Sequence, residues 1–149
     1  MARQSEPSDL DPEKIPDVAV SRELKHAHMI LAKRFLALQK DYEEKFPLRK
    51  IIITCSYRSP REQQRLYAQG RTAPGGIVTQ ADGVRKLSKH NAWPARALDT
   101  AILQGGKIEW AEELYWPYID LCKKHGLIAG GSWIKFPDWC HVQLPDDVV

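Results

Sequence analysis

The chain has 149 residues and a mass of 17.0 kDa, with 43% hydrophobic and 28% charged residues, a mean hydropathy of −0.46 and a net charge of +3. That is one domain's worth of sequence, without room for a second full domain, without the roughly 18 consecutive apolar residues of a membrane-spanning helix, and without a basic block marking a polyanion-binding tail. Three cysteines, Cys55, Cys122 and Cys140, are odd in number and far apart, which excludes a CxxC zinc module and argues against a disulfide framework.

Residues 1–20 carry three prolines among polar side chains and read as an extended or loosely docked arm ahead of a domain over 21–149. The polar, acidic start differs from a secretory leader, so synthesis in the cytoplasm without a signal is expected. From Ser21, residues Leu24, Ala27, Leu31, Phe35, Leu38 and Tyr42 recur at spacings of three and four, predicting a helix bounded by Pro47. The β-branched run Lys50–Cys55 predicts a buried strand. Ser59-Pro60-Arg61-Glu62 offers an N-cap, a proline at N1 and a capping-box glutamate, predicting a helix that runs to Gly70. Residues 71–87 lack periodicity and form a long loop of the kind that carries function. Arg96–Leu103 predicts a strand. Trp110, Leu114, Tyr118, Leu121, Cys122 and His125 mark one face of a second helix stopped by Gly126, with a kink or restart expected at Pro117. Leu127–Gly131 and Cys140–Leu144 predict short strands. Helices and strands in this order, without βαβ alternation, indicate an α+β domain.

Of five histidines, His26 and His28 fall on a solvated face of the first predicted helix, and His125 closes the second, where the helix dipole favours a cation. His90 and His141 stand apart. His90 precedes a strand that contains Asp99, and His141 follows Asp138 by three residues. Two imidazoles and one carboxylate make a catalytic zinc set with a fourth position left for water. The net charge lowers that water's pKa towards ~7. A second carboxylate beside the water can then act as general base and afterwards donate to a leaving amine. Spacing alone leaves other readings open: two surface histidines in polar loops, a non-haem iron centre with the same two-histidine, one-carboxylate set, or a basic binding module for nucleic acid or cell wall. Trp93, Trp133, Phe136 and Trp139 lie near these residues in sequence, and they either wall a substrate groove or form the core beneath it.

The segments Tyr57-Arg58-Ser59-Pro60-Arg61-Glu62-Gln63, Ser88-Lys89-His90 with Ala97-Leu98-Asp99, and Asp138-Trp139-Cys140-His141 resemble, in order and spacing, the M15 family of zinc peptidases. That family includes D-alanyl-D-alanine peptidases and the L-alanyl-D-glutamate endopeptidases of phage endolysins. The resemblance implies a small, mainly antiparallel sheet flanked by helices, with zinc held at the sheet by His90, Asp99 and His141. It implies Asp138 as the catalytic acid/base and Arg58 as the residue that polarises the scissile carbonyl, a role suited to a fixed, always charged fork. Gln63 and Ser88 match positions that orient substrate or the site loop, and Trp93 is a candidate substrate contact beside them. The implied substrate is the stem peptide of peptidoglycan, cut by a monomeric phage- or prophage-type endolysin that binds no nucleic acid, does not insert into the membrane, and reaches the periplasm after release. A D-Ala-D-Ala carboxypeptidase or dipeptidase is the alternative. The nine-residue interval from His90 to Asp99, with Ala92-Trp93-Pro94 inside it, departs from the common SxHxxGxAxD form and reads as a variant loop. Cys140 is expected in the core, because neighbours on a strand face opposite sides.

Overall fold

In the computed structural model, residues 15–133 and 137–149 are described. Helix α1 (Met29–Lys45) buries Leu31, Ala32, Phe35, Leu38 and Tyr42, the apolar stripe read from the sequence. It starts eight residues later than that stripe predicts. Leu24–His26 form a separate 3-10 turn, and the backbone on either side of Ala27 pairs with Ala95 (His28 N to Ala95 O, 2.8 Å; Ala95 N to His26 O, 2.9 Å) instead of continuing a helix. His28 is therefore the N-cap, its Nδ1 accepting from the Ile30 N–H at 3.1 Å. His26 lies within 2.6 Å of the Ser21 hydroxyl and packs on Trp93.

Strand β1 (Arg49–Cys55) leads to helix α2 (Pro60–Ala68). Ser59 Oγ accepts from the Glu62 N–H at 3.1 Å as the capping pattern predicts. The reciprocal arm is absent, because the Ser59 N–H donates to Ala19 O and Arg65 holds the Glu62 carboxylate. Strands β2 (Ala97–Gln104) and β3 (Lys107–Glu109) form a hairpin across Gly105 and Gly106, both at positive φ (60° and 77°), as a two-residue primed turn requires. The sequence reading did not include β3, whose three residues are too few to show an alternation. Helix α3 (Glu112–Lys124) starts after Trp110, which is 61% exposed instead of on the buried face. The helix runs as one element through Pro117, held by the burial of Tyr115, Tyr118, Ile119, Leu121 and Cys122. His125 is its C-cap, as expected. Strands β4 (Ile128–Ala129) and β5 (His141–Gln143) complete an antiparallel sheet of order β1-β2-β5-β4, with β3 on the far end of β2. This is the expected α+β class.

The core lies where α1 and α3 pack on the sheet. Three fully buried tyrosines serve it with ring and hydroxyl together: Tyr42 OH donates to Leu114 O (2.8 Å), Tyr115 OH to Glu109 O (3.1 Å), and Tyr118 OH pairs with Thr100 Oγ1 (2.7 Å). At the rim, Asp41 on α1 accepts from Lys124 Nζ at 2.8 Å and His125 Nε2 at 3.0 Å, tying α1 to the end of α3. These two bonds, Lys124's first, hold the Asp41 carboxyl down at about 2. A depressed carboxylate stabilises the fold above its unfolded pKa and loses that contribution as pH falls through the folded one. The melting-temperature deficit of Asp41→Asn relative to the parent is thus expected to be constant near neutrality and to shrink between pH 4 and pH 2, as read by circular dichroism. A deficit independent of pH over that interval would remove Asp41 as an acid-labile tie. Among the described residues no helix is long and apolar enough to cross a membrane.

Candidate metal centre and cavity

Strand register sets the centre. Asp99 on β2 lies opposite Cys55 on β1 and His141 on β5, so three potential ligands stand at one level across three strands. An irregularity in β1 between Ile53 and Cys55 accompanies this row, in keeping with the habit of bulges to re-aim side chains beside functional sites. His90 arrives from the 3-10 turn Lys89–Asn91. Ser88 Oγ caps this turn by accepting from the His90 N–H (3.2 Å), and Asn91 Oδ1 accepts from the Ser88 N–H (2.8 Å). Asn91 Nδ2 donates to Arg58 O, and the Arg58 N–H donates to His90 O, which locks the Arg58 and His90 segments together. Asp138 is brought in by the bond from its N–H to Gly130 O at 3.0 Å. Only glycine fits at 130, where a Cβ would stand 2.5 Å from Asp138 O and 2.9 Å from His141 Cβ.

Asp99 is the hub. Its Oδ1 lies 3.3 Å from His90 Nε2 and 3.2 Å from His141 Nδ1, while Oδ2 accepts from Arg58 Nη2 at 3.1 Å. His90 is 2% exposed and spends its Nδ1 proton on Ser56 O at 2.8 Å, and its buried Nε2 has no hydrogen-bond partner among the described residues. His141 Nε2 donates to Gln143 Oε1 at 2.9 Å, which leaves Nδ1 facing Asp99. Both rings thus turn a nitrogen towards one carboxylate oxygen, which can only accept, so a proton or a cation has to stand between ring and carboxylate. Burial works against a charged His90, but the Asp99 carboxylate outweighs it and raises the imidazole to about 10. Burial would likewise raise Asp99, yet the charge on His90 and the bond from His141 hold it well below the usual carboxylate range. A proton can supply the missing charge. A divalent cation supplies it to all three groups at once, and the orphaned Nε2 fits one.

Among the described residues, two sets of donor atoms fall within 4.8 Å of one another, Cys55-His90-Asp99 and Asp99-Asp138-Cys140; both share Asp99, and His141 belongs to neither. Cys55 approaches His90 at Nδ1 (3.6 Å), the nitrogen already bound to Ser56 O, so it stands on the outer side of that ring. Cys140 is half-buried, packs against the core at its edge as expected, and donates to Asp138 Oδ1 at 3.1 Å. It precedes β5 in a turn, where strand alternation does not govern its direction. Burial, followed by the nearby Asp138 charge, pushes its thiol far up.

A cavity of about 570 Å³ opens on the centre, bordered by Arg58, His90, Asp99, Asp138 and His141, with Trp133 packed on the His141 ring at 5.0 Å. Its other wall comes from the predicted loop, which supplies Val78–Ala81 and Lys86–Leu87. Asp82 shapes that loop by accepting from the N–H groups of Val84, Arg85 and Lys86. Gly83, at φ +77°, lets it lie against α2, where a Cβ would be 2.6 Å from Pro60 O. Ser88 lines the cavity. Gln63 is fully buried behind it, outside the cavity lining, accepting from Arg58 Nη1 (3.0 Å) and donating to Thr79 Oγ1 and Ala81 O, so it positions Arg58 and the wall. Trp93 lies outside the cavity lining, wedged between Tyr57 and His26. Trp139 packs on the core, and Phe136 lies outside the described residues. The sequence reading passed over Ser56 and Gln143, which fix the two imidazoles. A backbone carbonyl has no sequence signal, whereas Gln143 stood two residues after His141 on the same strand face.

Fold and site together define a small α+β domain with a candidate metal centre, ringed by an arginine and a second carboxylate. No family model matches the sequence. The peptidoglycan L-alanyl-D-glutamate endopeptidase CwlK of Bacillus subtilis (strain 168) is 33% identical over 105 residues, a stretch covering 63% of this chain and 60% of that protein, so the chain spans less than two thirds of this relative. The crystal structure of the Serratia marcescens L-Ala D-Glu endopeptidase ChiX superposes with a TM-score of 0.60 over 91% of this chain and 93% of the other, at 20% identity, which establishes the shared fold.

Proposed function

We propose that the protein is a zinc-dependent endopeptidase that hydrolyses the L-alanyl-D-glutamate bond of peptidoglycan stem peptides. The observation that carries this reading is the convergence of His90 Nε2 and His141 Nδ1 on Asp99 Oδ1 at the floor of an open cavity. His90, Asp99 and His141 would hold the metal, which when bound supplies Lewis-acid activation of water and carbonyl. The chain's own groups do the rest. Asp138 takes the proton of the attacking water and returns it to the leaving nitrogen. Among the described residues, Arg58 serves Gln63 and Asp99 with two of its five N–H groups, which leaves three to steady the oxyanion. Lys86 on the rim favours an anionic peptide such as one containing glutamate, while Lys89 beside it is paired with Asp146 at 2.6 Å. The substrate places the work at the cell wall. A lytic, endolysin-type role rests on the motif resemblance alone.

Digestion of purified peptidoglycan tests the reading. A chelator is expected to stop solubilisation and added zinc to restore it, and product masses are expected to show new glutamate amino termini. Release of free D-alanine instead would move the enzyme to the carboxypeptidase alternative. Undiminished digestion after complete metal removal would overturn the metal-dependent mechanism.

A further inference from the structure

His141 has two ring nitrogens, and only one can face Asp99. The choice is made at Gln143. Residues 141 and 143 share one face of β5, and ladders on both sides hold Gln143, opposite Ala97 on β2 and Ile128 on β4. Its side-chain oxygen accepts the His141 Nε2 proton at 2.9 Å, which leaves Nδ1 directed at Asp99 Oδ1, 3.2 Å away. Ser56 O does the same for His90 through the other nitrogen, at 2.8 Å. One imidazole is thus held by main chain and the other by a single replaceable side chain. Resting on the metal reading above, we infer that Gln143 is a positioning residue of the centre: it fixes the ring and tautomer of His141 so that Nδ1 is the metal donor. Hydrogen-bond partners of this kind typically tune metal affinity by roughly 10–100-fold when removed.

The test uses the full chain. Long-range proton–nitrogen NMR on the metal-free and zinc-loaded protein is expected to place the His141 ring proton on Nε2 in both, protected from solvent exchange. In Gln143→Leu that protected resonance is expected to disappear. Zinc affinity, measured by competition with a chromophoric chelator, is expected to fall by roughly 10–100-fold in Gln143→Leu and to recover in Gln143→Glu, which restores the acceptor. A ring proton on Nδ1 in the parent, or parent-level zinc affinity in a folded Gln143→Leu, overturns the assignment. If Gln143→Leu does not fold, the parent spectrum and Gln143→Glu still decide it. Zinc binding with the expected ranking but no cleavage of peptidoglycan would leave this role standing and sink the endopeptidase reading. Absence of zinc binding in the parent would sink both.

Discussion

Asp138→Asn is expected to lower peptidoglycan hydrolysis by about 10²–10⁴-fold, the usual contribution of a positioned general acid–base, while the fold and zinc binding survive. The substitution is nearly isosteric and keeps an oxygen for the Cys140 thiol, which now donates to Asp138 Oδ1 at 3.1 Å. The backbone ties of residue 138, its N–H to Gly130 O and its carbonyl to the His141 N–H, are untouched by a side-chain change. What is lost is the ability to accept and return a proton. Because Asp138 also lies within ligand distance of Asp99 and Cys140, zinc affinity must be measured beside the rate. A loss of hydrolysis at saturating zinc with unchanged affinity identifies proton transfer. A parallel loss of affinity would make Asp138 a ligand, and parent-level release of amino groups from sacculi by Asp138→Asn would remove it from the chemistry.

The elements legible in the sequence were those whose signal is local. The α1 stripe, the Ile51-Ile52-Ile53 strand and the Ser59 cap depend on near neighbours, and they stand where they were expected. The errors share a different origin. The start of α1 was set by Ala95, a residue far along the chain whose backbone takes the bonds that would have extended the helix. Strand β3 exists because Gly105 and Gly106 turn the chain back on β2, not because Lys107–Glu109 prefer to be extended. Within the site, the motif residues His90, Asp99, His141, Asp138 and Arg58 border one cavity. Their supporting partners were not legible. Gln63, which the resemblance matched to a position that orients substrate or the site loop, faces inward on α2 with its amide consumed by Arg58, Thr79 and Ala81. Trp93 was close in sequence to His90 but is turned away by the loop that returns to Ala95.

Arg58 offers the second large effect. Its guanidinium is anchored at two points, Nη1 on Gln63 and Nη2 on Asp99, and its side chain is mostly shielded from solvent. A planar fork can hold both anchors and still present N–H groups to the cavity, whereas a lysine ammonium is a single point of charge on a flexible stem. Arg58→Lys is therefore expected to lose about 10²–10³-fold in kcat/KM at saturating zinc, similar to Arg58→Ala and in the range for removal of one oxyanion donor. The two variants should separate in zinc affinity. Arg58→Ala removes a cation beside Asp99 and relieves repulsion of the metal, while it also frees the carboxylate to turn. These effects oppose each other and should leave affinity within about tenfold of the parent. If instead activity falls only as far as zinc affinity falls, and excess zinc restores it, Arg58 acts solely by holding Asp99 and does not touch the substrate.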